Sequence, residues 1–179
     1  GTKVYDDDEI KTMTRSLVAL RFLDDKSTVR IRQNSTFTVE GKKDKNSTLK
    51  NIVLEAGDIL ANVAKQKGEF RIESPTSVAS VKGTKFGVSF STTTGASTTT
   101  VFDGLVQLRS KKTGAIRDVN VGEKISVSKT GEVKSETFNA NEFDETVEDI
   151  EEALLEFQDK NGNKKILKLK FIPKATDDN

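Results

Sequence analysis

The sequence predicts an all-β protein, with either a β-sandwich or a coiled β architecture made of many short strands. Runs in which apolar and polar residues alternate occur along most of the chain, and Gly, Asp, Asn or Lys residues end them about every 8–12 residues. Thr, Ser and Val are abundant, which favours strands, and no helical period of useful length occurs before Asn139. The 179 residues are enough for one domain with a core and a small extension.

The first strands are predicted between residues 16 and 39. Val18 and Leu20 fall on one face of a strand, because successive side chains of a strand point to opposite faces. Residues 24–27 have the composition of a tight turn, and two further short strands follow them. The charged segment 41–47 is then predicted to be an exposed loop.

The middle of the chain continues with short strands and turns. The apolar residues between 49 and 63 are divided by Glu55–Asp58, which is predicted to be a turn. A strand over residues 70–72 follows, and then a run from 78 to 90 that Gly83 interrupts. A glycine inside such a run indicates a bulge or a close approach of another backbone segment.

Glycine-containing turns also divide the next segment. The Thr- and Ser-rich tract 92–100 is predicted to form a hairpin, because Thr favours strands and is still soluble. Turns are predicted at Asp103–Gly104, Gly122–Glu123 and Lys129–Gly131. We therefore expect one β domain over residues 1–133.

Residues 134–179 are predicted to be a separate extension, a helix followed by a β-hairpin. Asn139 or Asn141 can cap the helix, and acidic residues in its first turns suit the positive end of the helix dipole. The helix is predicted from four apolar residues that share one of its faces: Phe143, Val147, Ile150 and Leu154.

The hairpin is predicted from the turn composition of residues 159–163. A three-residue loop at 161–163 would place similar or oppositely charged residues across from each other, in the pairs Phe157–Leu167, Leu155–Leu169 and Glu156–Lys168. The apolar faces of this extension need a partner surface, either the β domain or another subunit.

The composition excludes several classes of function. The chain has 29 basic and 28 acidic residues, so it lacks the basic surplus of a nucleic-acid-binding domain. It has no Cys and no His, which removes a disulfide framework, a zinc knuckle, a thiol nucleophile and the commonest general base. No apolar run approaches the roughly 18–20 residues that cross a bilayer. We expect no enzymatic activity, no cofactor, no nucleic-acid partner and no membrane span in this chain.

The acidic clusters are candidates for metal or catalytic sites. Asp6–Glu9 is the densest carboxylate cluster, and it is either a calcium site or an exposed acidic turn. Asp24 and Asp25 are predicted to form a turn. A glycosidase cleft usually adds aromatic platforms to its carboxylate pair, whereas this chain has one Tyr and no Trp. We assign no catalytic, cofactor-binding or metal-binding residue.

Other motifs have structural explanations. Gly83-Thr84-Lys85 lacks the frame of a phosphate-binding loop, and we expect Gly83 to allow a backbone approach that a Cβ would obstruct. The glycosylation-type triplets at Asn34 and Asn46 are expected to be chance matches.

Residues 8–131 resemble the FecR family in an ordered set of motifs. The segment ALRFLDDKSTVRI at 19–31 is similar to the family's strand, Asp-Gly-Ser turn and returning strand. The most specific match is FRIESPTSVASVKGTKFGV at 70–88, which resembles the central Phe-x-Val, Thr-Pro, Ala-x-Val and Arg-Gly-Thr-x-Phe-x-Val signature. The segments 101–106 and 121–127 are similar to its Glu-Gly-x-Val and Ala-Gly-Glu elements.

This resemblance implies an all-β fold in an export compartment, the periplasm or the cell surface. In classical members the domain lies in the periplasm, behind one membrane helix and a cytoplasmic anti-sigma segment, and responds to an outer-membrane transporter. We recognise neither of those two segments in this sequence.

Two functions follow from these expectations. The first is an exported, non-enzymatic module for recognition or sensing, with a protein or a cell-envelope polymer as its partner. The second is a structural subunit of a surface layer or filament, which assembles with copies of itself through the C-terminal hairpin.

Overall fold

The computed structural model describes residues 2–43, 48–66, 68–138, 152–158 and 164–170. For some of these residues only the backbone is described: 42, 43, 48, 152–158 and 164–170.

Every regular element within these ranges is a β-strand, which confirms the all-β prediction. The strands are, in chain order, β1 (Asp8–Thr12), β2 (Val18–Arg21), β3 (Thr28–Ile31), β4 (Thr36–Lys43), β5 (Thr48–Asn62), β6 (Glu69–Glu73), β7 (Ser77–Val81), β8 (Lys85–Ser91), β9 (Ala96–Asp103), β10 (Val106–Ser110), β11 (Ile116–Val119), β12 (Glu123–Val127), β13 (Val133–Thr137), β14 (Glu152–Gln158) and β15 (Lys164–Lys170).

The strands form two sheets that share β5. The first sheet has the order β11-β10-β7-β6-β5-β4-β1-β14-β15. The second has the order β2-β3-β5-β8-β9-β12-β13. Among the described strands, β5 and β6 are the one parallel pair. The architecture is therefore a coiled sheet in which one long strand belongs to both layers.

β5 runs without interruption through the segment where a turn was predicted. Its first half pairs with β4 as far as Ala56, and its second half pairs with β8 from Gly57 onward. The prediction of a turn at Glu55–Asp58 was wrong. Gly57 has a φ of +98°, and the pairing with β4 shifts register beside it, so the chain changes sheet through a bulge. The same residue types favour turns and bulges, and the local sequence does not distinguish the two.

Ser35 fixes the point at which β5 changes sheet. Its buried hydroxyl donates a hydrogen bond to the Arg32 carbonyl at 2.9 Å and accepts one from the Asp58 N–H at 3.1 Å. Its own N–H donates to Thr12 Oγ1 at 2.8 Å. A Cβ on Gly57 would lie 2.0 Å from Ser35 Oγ. We call Thr12, Ser35 and Gly57 the crossover corner.

The apolar core is a single cluster to which both sheets contribute. Phe37 and Phe70 come from the first sheet and Phe86 from the second, and all three are fully buried. Phe86 and Val88 are buried, and Val18 and Leu20, which were predicted to share one face of a strand, are buried and partly buried in β2. The two layers therefore share one apolar core.

The C-terminal hairpin is present, but its register differs from the prediction. Leu155 pairs with Leu167, two residues away from the predicted partner, so the strands are separated by residues 159–163. The predicted loop at 161–163 was therefore wrong. A slip of two residues keeps each side chain on its original face. β14 also pairs with β1, and this long-range contact, which the local pattern cannot show, adds a second constraint on its position.

The predicted helix is only partly within the described residues. β14 begins at Glu152, so Leu154, which was placed on the helix, lies in a strand. The remaining helix positions, 139–151, lie outside the described residues. β13 begins at Val133 and spans the boundary predicted between residues 133 and 134, and the division of the chain into two parts stays a prediction.

Two loop predictions have different outcomes. The charged segment 41–47 was predicted to be a loop, but β4 extends to Lys43 and residues 44–47 lie outside the described residues. The hairpin predicted at 92–100 is confirmed, since β8 and β9 pair around a turn at 92–95.

We predict that Gly57→Ala lowers the free energy of unfolding by at least about 3 kcal/mol, because it adds backbone strain to a steric clash. Gly114→Ala is a control for backbone strain alone, because Gly114 also has a positive φ but has open space around it. This variant should lower the free energy of unfolding by about 1 kcal/mol. Gly41→Ala, with no atom within 4 Å of the added Cβ, should be neutral or slightly stabilising. Urea denaturation measures all three, and equal losses for Gly57→Ala and Gly114→Ala would contradict the role of Ser35.

Candidate functional site

Four turns meet at one end of the two sheets. Strand pairing brings them together, because Ser77 lies opposite Ser110 in the first sheet and Ser97 lies opposite Val127 in the second. The turns that follow or precede these residues are 74–76, 92–95, 111–115 and 128–132.

A cleft of about 510 Å³ opens between these turns. We call it the lysine cleft, and its lining consists of Pro75, Thr76, Phe90, Thr92, Gly95, Lys111, Lys112 and Lys129. Its size lies within the range of typical ligand-binding sites.

Buried hydroxyl groups join the two sheets beneath the lysine cleft. The Oγ1 atom of Thr76 lies 2.6 Å from Ser97 Oγ and donates to the Val127 carbonyl at 3.2 Å. Ser97 Oγ also lies 2.7 Å from Ser77 Oγ, which in turn lies 3.1 Å from Ser74 Oγ. Each hydroxyl is satisfied inside the protein, so this network holds the floor in place.

The three lysines at the rim differ in their partners. The ammonium of Lys111 lies 3.1 Å from Glu73 Oε2. Lys112 and Lys129 form no ion pair with an acidic side chain of the described residues. The rim therefore carries an excess of positive charge.

Glycines give the lysine side chains room to pack. A Cβ on Gly95 would lie 3.4 Å from Lys129 Cβ, and a Cβ on Gly131 would lie 3.1 Å from Lys112 Cβ. Both glycines have positive φ values, of 65° and 87°. The lysine stems therefore lie along glycine turns while the charged ends are exposed, as long basic side chains commonly do.

The chemistry of the lysine cleft suits binding. Ammonium groups above a partly apolar floor attract an anion that carries an apolar part. The lining side chains include no carboxylate and no thiol, and the buried hydroxyl of Thr76 is engaged by Ser97.

The acidic cluster Asp6–Glu9 spans a turn and the first residues of β1, and two of its carboxylates accept hydrogen bonds from backbone amides. Asp8 Oδ2 accepts from the Tyr5 N–H at 2.7 Å, and Asp6 Oδ1 accepts from the Gly41 N–H at 2.7 Å. Among the residues that the structure describes, no three acidic side chains come together as a possible metal site.

Asp24 and Asp25 lie in the predicted turn and bind a buried lysine. The Lys50 ammonium lies 2.8 Å from Asp24 Oδ1 and 2.5 Å from Asp25 Oδ2, and it stands 5.0 Å from the centre of the Phe22 ring. Burial raises the pKa of Asp25, but hydrogen bonds from Lys50 and Ser27 outweigh it, so this pKa lies below its ordinary value. The cluster anchors the turn to the core.

The remaining motifs have structural roles. A Cβ on Gly83 would lie 2.7 Å from Lys65 Cγ, and Thr84 is buried with its hydroxyl donating to the Leu105 carbonyl. This confirms the predicted close approach. Asn34 lies in a turn with a φ of 57°, and Asn46 lies outside the described residues.

Sequence reasoning missed the lysine cleft. A signal was present, because Lys112 and Lys129 each begin a Lys-Thr-Gly triplet. The two triplets are far apart in sequence, and only the pairing of β10 with β7 and of β12 with β9 brings them to one opening.

Within the described ranges, the chain forms no helix that is long and apolar enough to cross a membrane.

Comparison with protein families identifies a family for a large part of this chain. A family model described as "FecR protein" matches residues 8–107, which is more than half of the chain. This span runs from β1 into β10 and includes the crossover corner. A search of curated proteins found no significant match.

Two crystal structures share the fold. Both are described as a "putative anti-sigma factor" from Parabacteroides distasonis, at 1.65 and 2.50 Å resolution. Their TM-scores are 0.64 and 0.63, and their sequence identities to this chain are 16% and 17%. Each match covers 74% of this chain and 61% of the other, so the chain spans less than two thirds of those proteins.

We predict that Asp25→Asn lowers the free energy of unfolding at neutral pH by about 2 kcal/mol, because the buried Lys50 loses one of its two carboxylate partners. The pKa of Asp25 is lower in the folded protein than in the unfolded chain, where it is about 3.9, so its ionised carboxylate stabilises the fold above that pH. This stabilisation is lost as the pH falls through the pKa of the folded protein. The difference from wild type should therefore shrink under acid, as measured by urea denaturation at several pH values.

Asp24→Asn is the matched control, because the Asp24 side chain is 55% exposed. It should cost less than about 1 kcal/mol. A difference between Asp25→Asn and wild type that does not change with pH would contradict the ion-pair explanation.

Proposed function

The chain belongs to the FecR protein family, and from this membership we propose that it is a non-enzymatic sensing module of a bacterial regulatory protein. It recognises a protein partner and passes the signal on through the regulatory protein that contains it. As in the classical members that the sequence resembles, it acts outside the cytoplasm, in the periplasm or at the cell surface.

The lysine cleft is the observation that supports recognition most directly. Four turns at the end of the β body form it, and it combines lysines without an acidic partner in the described residues with a partly apolar lining above a buried hydroxyl network. Loops that a rigid scaffold positions are the usual place for binding residues.

A structural role in a surface layer or filament is the second candidate, and the C-terminal hairpin favours it. β14 pairs with β1 of the same chain, so the hairpin is already seated on its own sheet. β15 ends the first sheet, and its outer side has no partner among the described strands. A strand of a neighbouring copy could add there.

The sensing role predicts a transcriptional effect. Deletion of the coding sequence from the source bacterium should change the transcript levels of a discrete set of genes, measured by RNA sequencing along the growth curve. Wild-type protein supplied in trans should restore them, and so should Lys11→Glu/Lys82→Glu, which changes two exposed lysines away from the lysine cleft. Lys112→Glu/Lys129→Glu, with the same change in net charge, should not.

Unchanged transcripts after deletion would contradict the sensing role. Loss of a surface structure in electron micrographs, with concentration-dependent assembly in light scattering, would support the structural candidate instead. A monomer at high concentration counts against it.

A further inference from the structure

We propose that the lysine cleft binds an acidic segment of a protein partner, with an apolar side chain of that segment against Phe90 and Pro75. The carboxylates of the segment would lie against the ammonium groups of Lys111, Lys112 and Lys129. This inference rests on the proposed function for the existence of a protein partner, and it adds the chemistry by which that partner is recognised.

Charge is the first argument. The chain as a whole is almost neutral, with a formal charge of +1, yet two lysines without an acidic partner in the described residues stand at one opening. The third, Lys111, forms an ion pair with Glu73 at 3.1 Å. Such a local excess of one sign attracts the opposite charge and speeds its encounter.

The apolar floor is the second argument. Phe90 is partly buried, and Phe90 and Pro75 line the same cleft as the charged groups. A simple anion would leave this surface unused. A volume of about 510 Å³ accepts one or two side chains of a peptide, which can fill the floor and reach the rim together.

The arrangement of the lysines favours a peptide over a linear polyanion. Nucleic acids and acidic polysaccharides lie along tracks of cations that follow their backbone. Here the three lysines come from two turns and line one opening, and Lys111 is already paired with Glu73. The remaining charge is concentrated at one place, where a short acidic segment can meet it.

The cleft is organised before binding. The stems of Lys112 and Lys129 pack beside Gly131 and Gly95, and the hydroxyl network at Thr76 and Ser97 fixes the floor. A site that is already ordered loses less conformational entropy when its ligand binds.

Fluorescence anisotropy with labelled hexapeptides tests the proposal on the full chain. The peptide EDLFED should bind, and its affinity should fall with added salt. Its amide analogue QNLFQN, the apolar-deficient EDSSED and the variant Lys112→Glu/Lys129→Glu should each bind at least ~10-fold more weakly, because each removes charge or apolar contact. The control Lys11→Glu/Lys82→Glu should stay within ~2-fold of wild type.

Nuclear magnetic resonance places the bound peptide. With EDLFED present, amide signals of the turns at 92–95, 111–115 and 128–132 should shift. Equal binding of QNLFQN, unchanged binding by the cleft variant, or shifts confined to another surface would overturn the proposal. Tighter binding of an oligogalacturonate than of EDLFED would overturn it in favour of an acidic polymer.

The peptide experiment and the transcript experiment test separate claims. If EDLFED does not bind and the cleft variant still cannot restore transcripts, the proposal of an acidic segment is overturned and the proposed sensing role is not. If the cleft variant restores transcripts, the lysine cleft has no role in sensing, whether or not EDLFED binds.

Discussion

The change of sheet by β5 at Gly57 is the constraint on which the rest of the structure depends. A parallel pair such as β5 and β6 needs a connection that crosses over, and most proteins use a helix for it. Here the second half of β5 and the short segment after it make that connection from within the opposite sheet. The two layers are therefore covalently continuous at their centre, and the turn cluster at the end of the sheets inherits its position from them.

Local sequence patterns predicted most strands and tight turns, because alternation and turn composition are properties of neighbouring residues. These local patterns failed where residues distant in sequence determine the backbone conformation or the strand register. Gly57 looks like part of a turn until Ser35, from another strand, is placed against it. The hairpin register follows from contact with β1 as well as from its own loop. Lys112 and Lys129 become one site only through the order of the strands.

The lysines of this protein illustrate how burial separates two roles. Lys50 is buried, has two carboxylates and an aromatic ring around it, and ties a turn to the core. Removing one partner of such a charge is costly, which makes the group structural. Lys112 and Lys129 keep their stems against glycine turns and their charges in water. Their charges contribute little to the stability of the fold, and they are available to a ligand.

The position of β1 has a consequence for biosynthesis. β1 lies between β4 and β14, so one side of a strand near the start of the chain is completed by residues 152–158. A ribosome delivers these two strands at widely separated times, and contacts of such high sequence separation form slowly. Until β14 emerges, β1 presents an open edge to other nascent chains. Pairing of β14 with β1 closes this edge and so removes a place where another chain could add a strand.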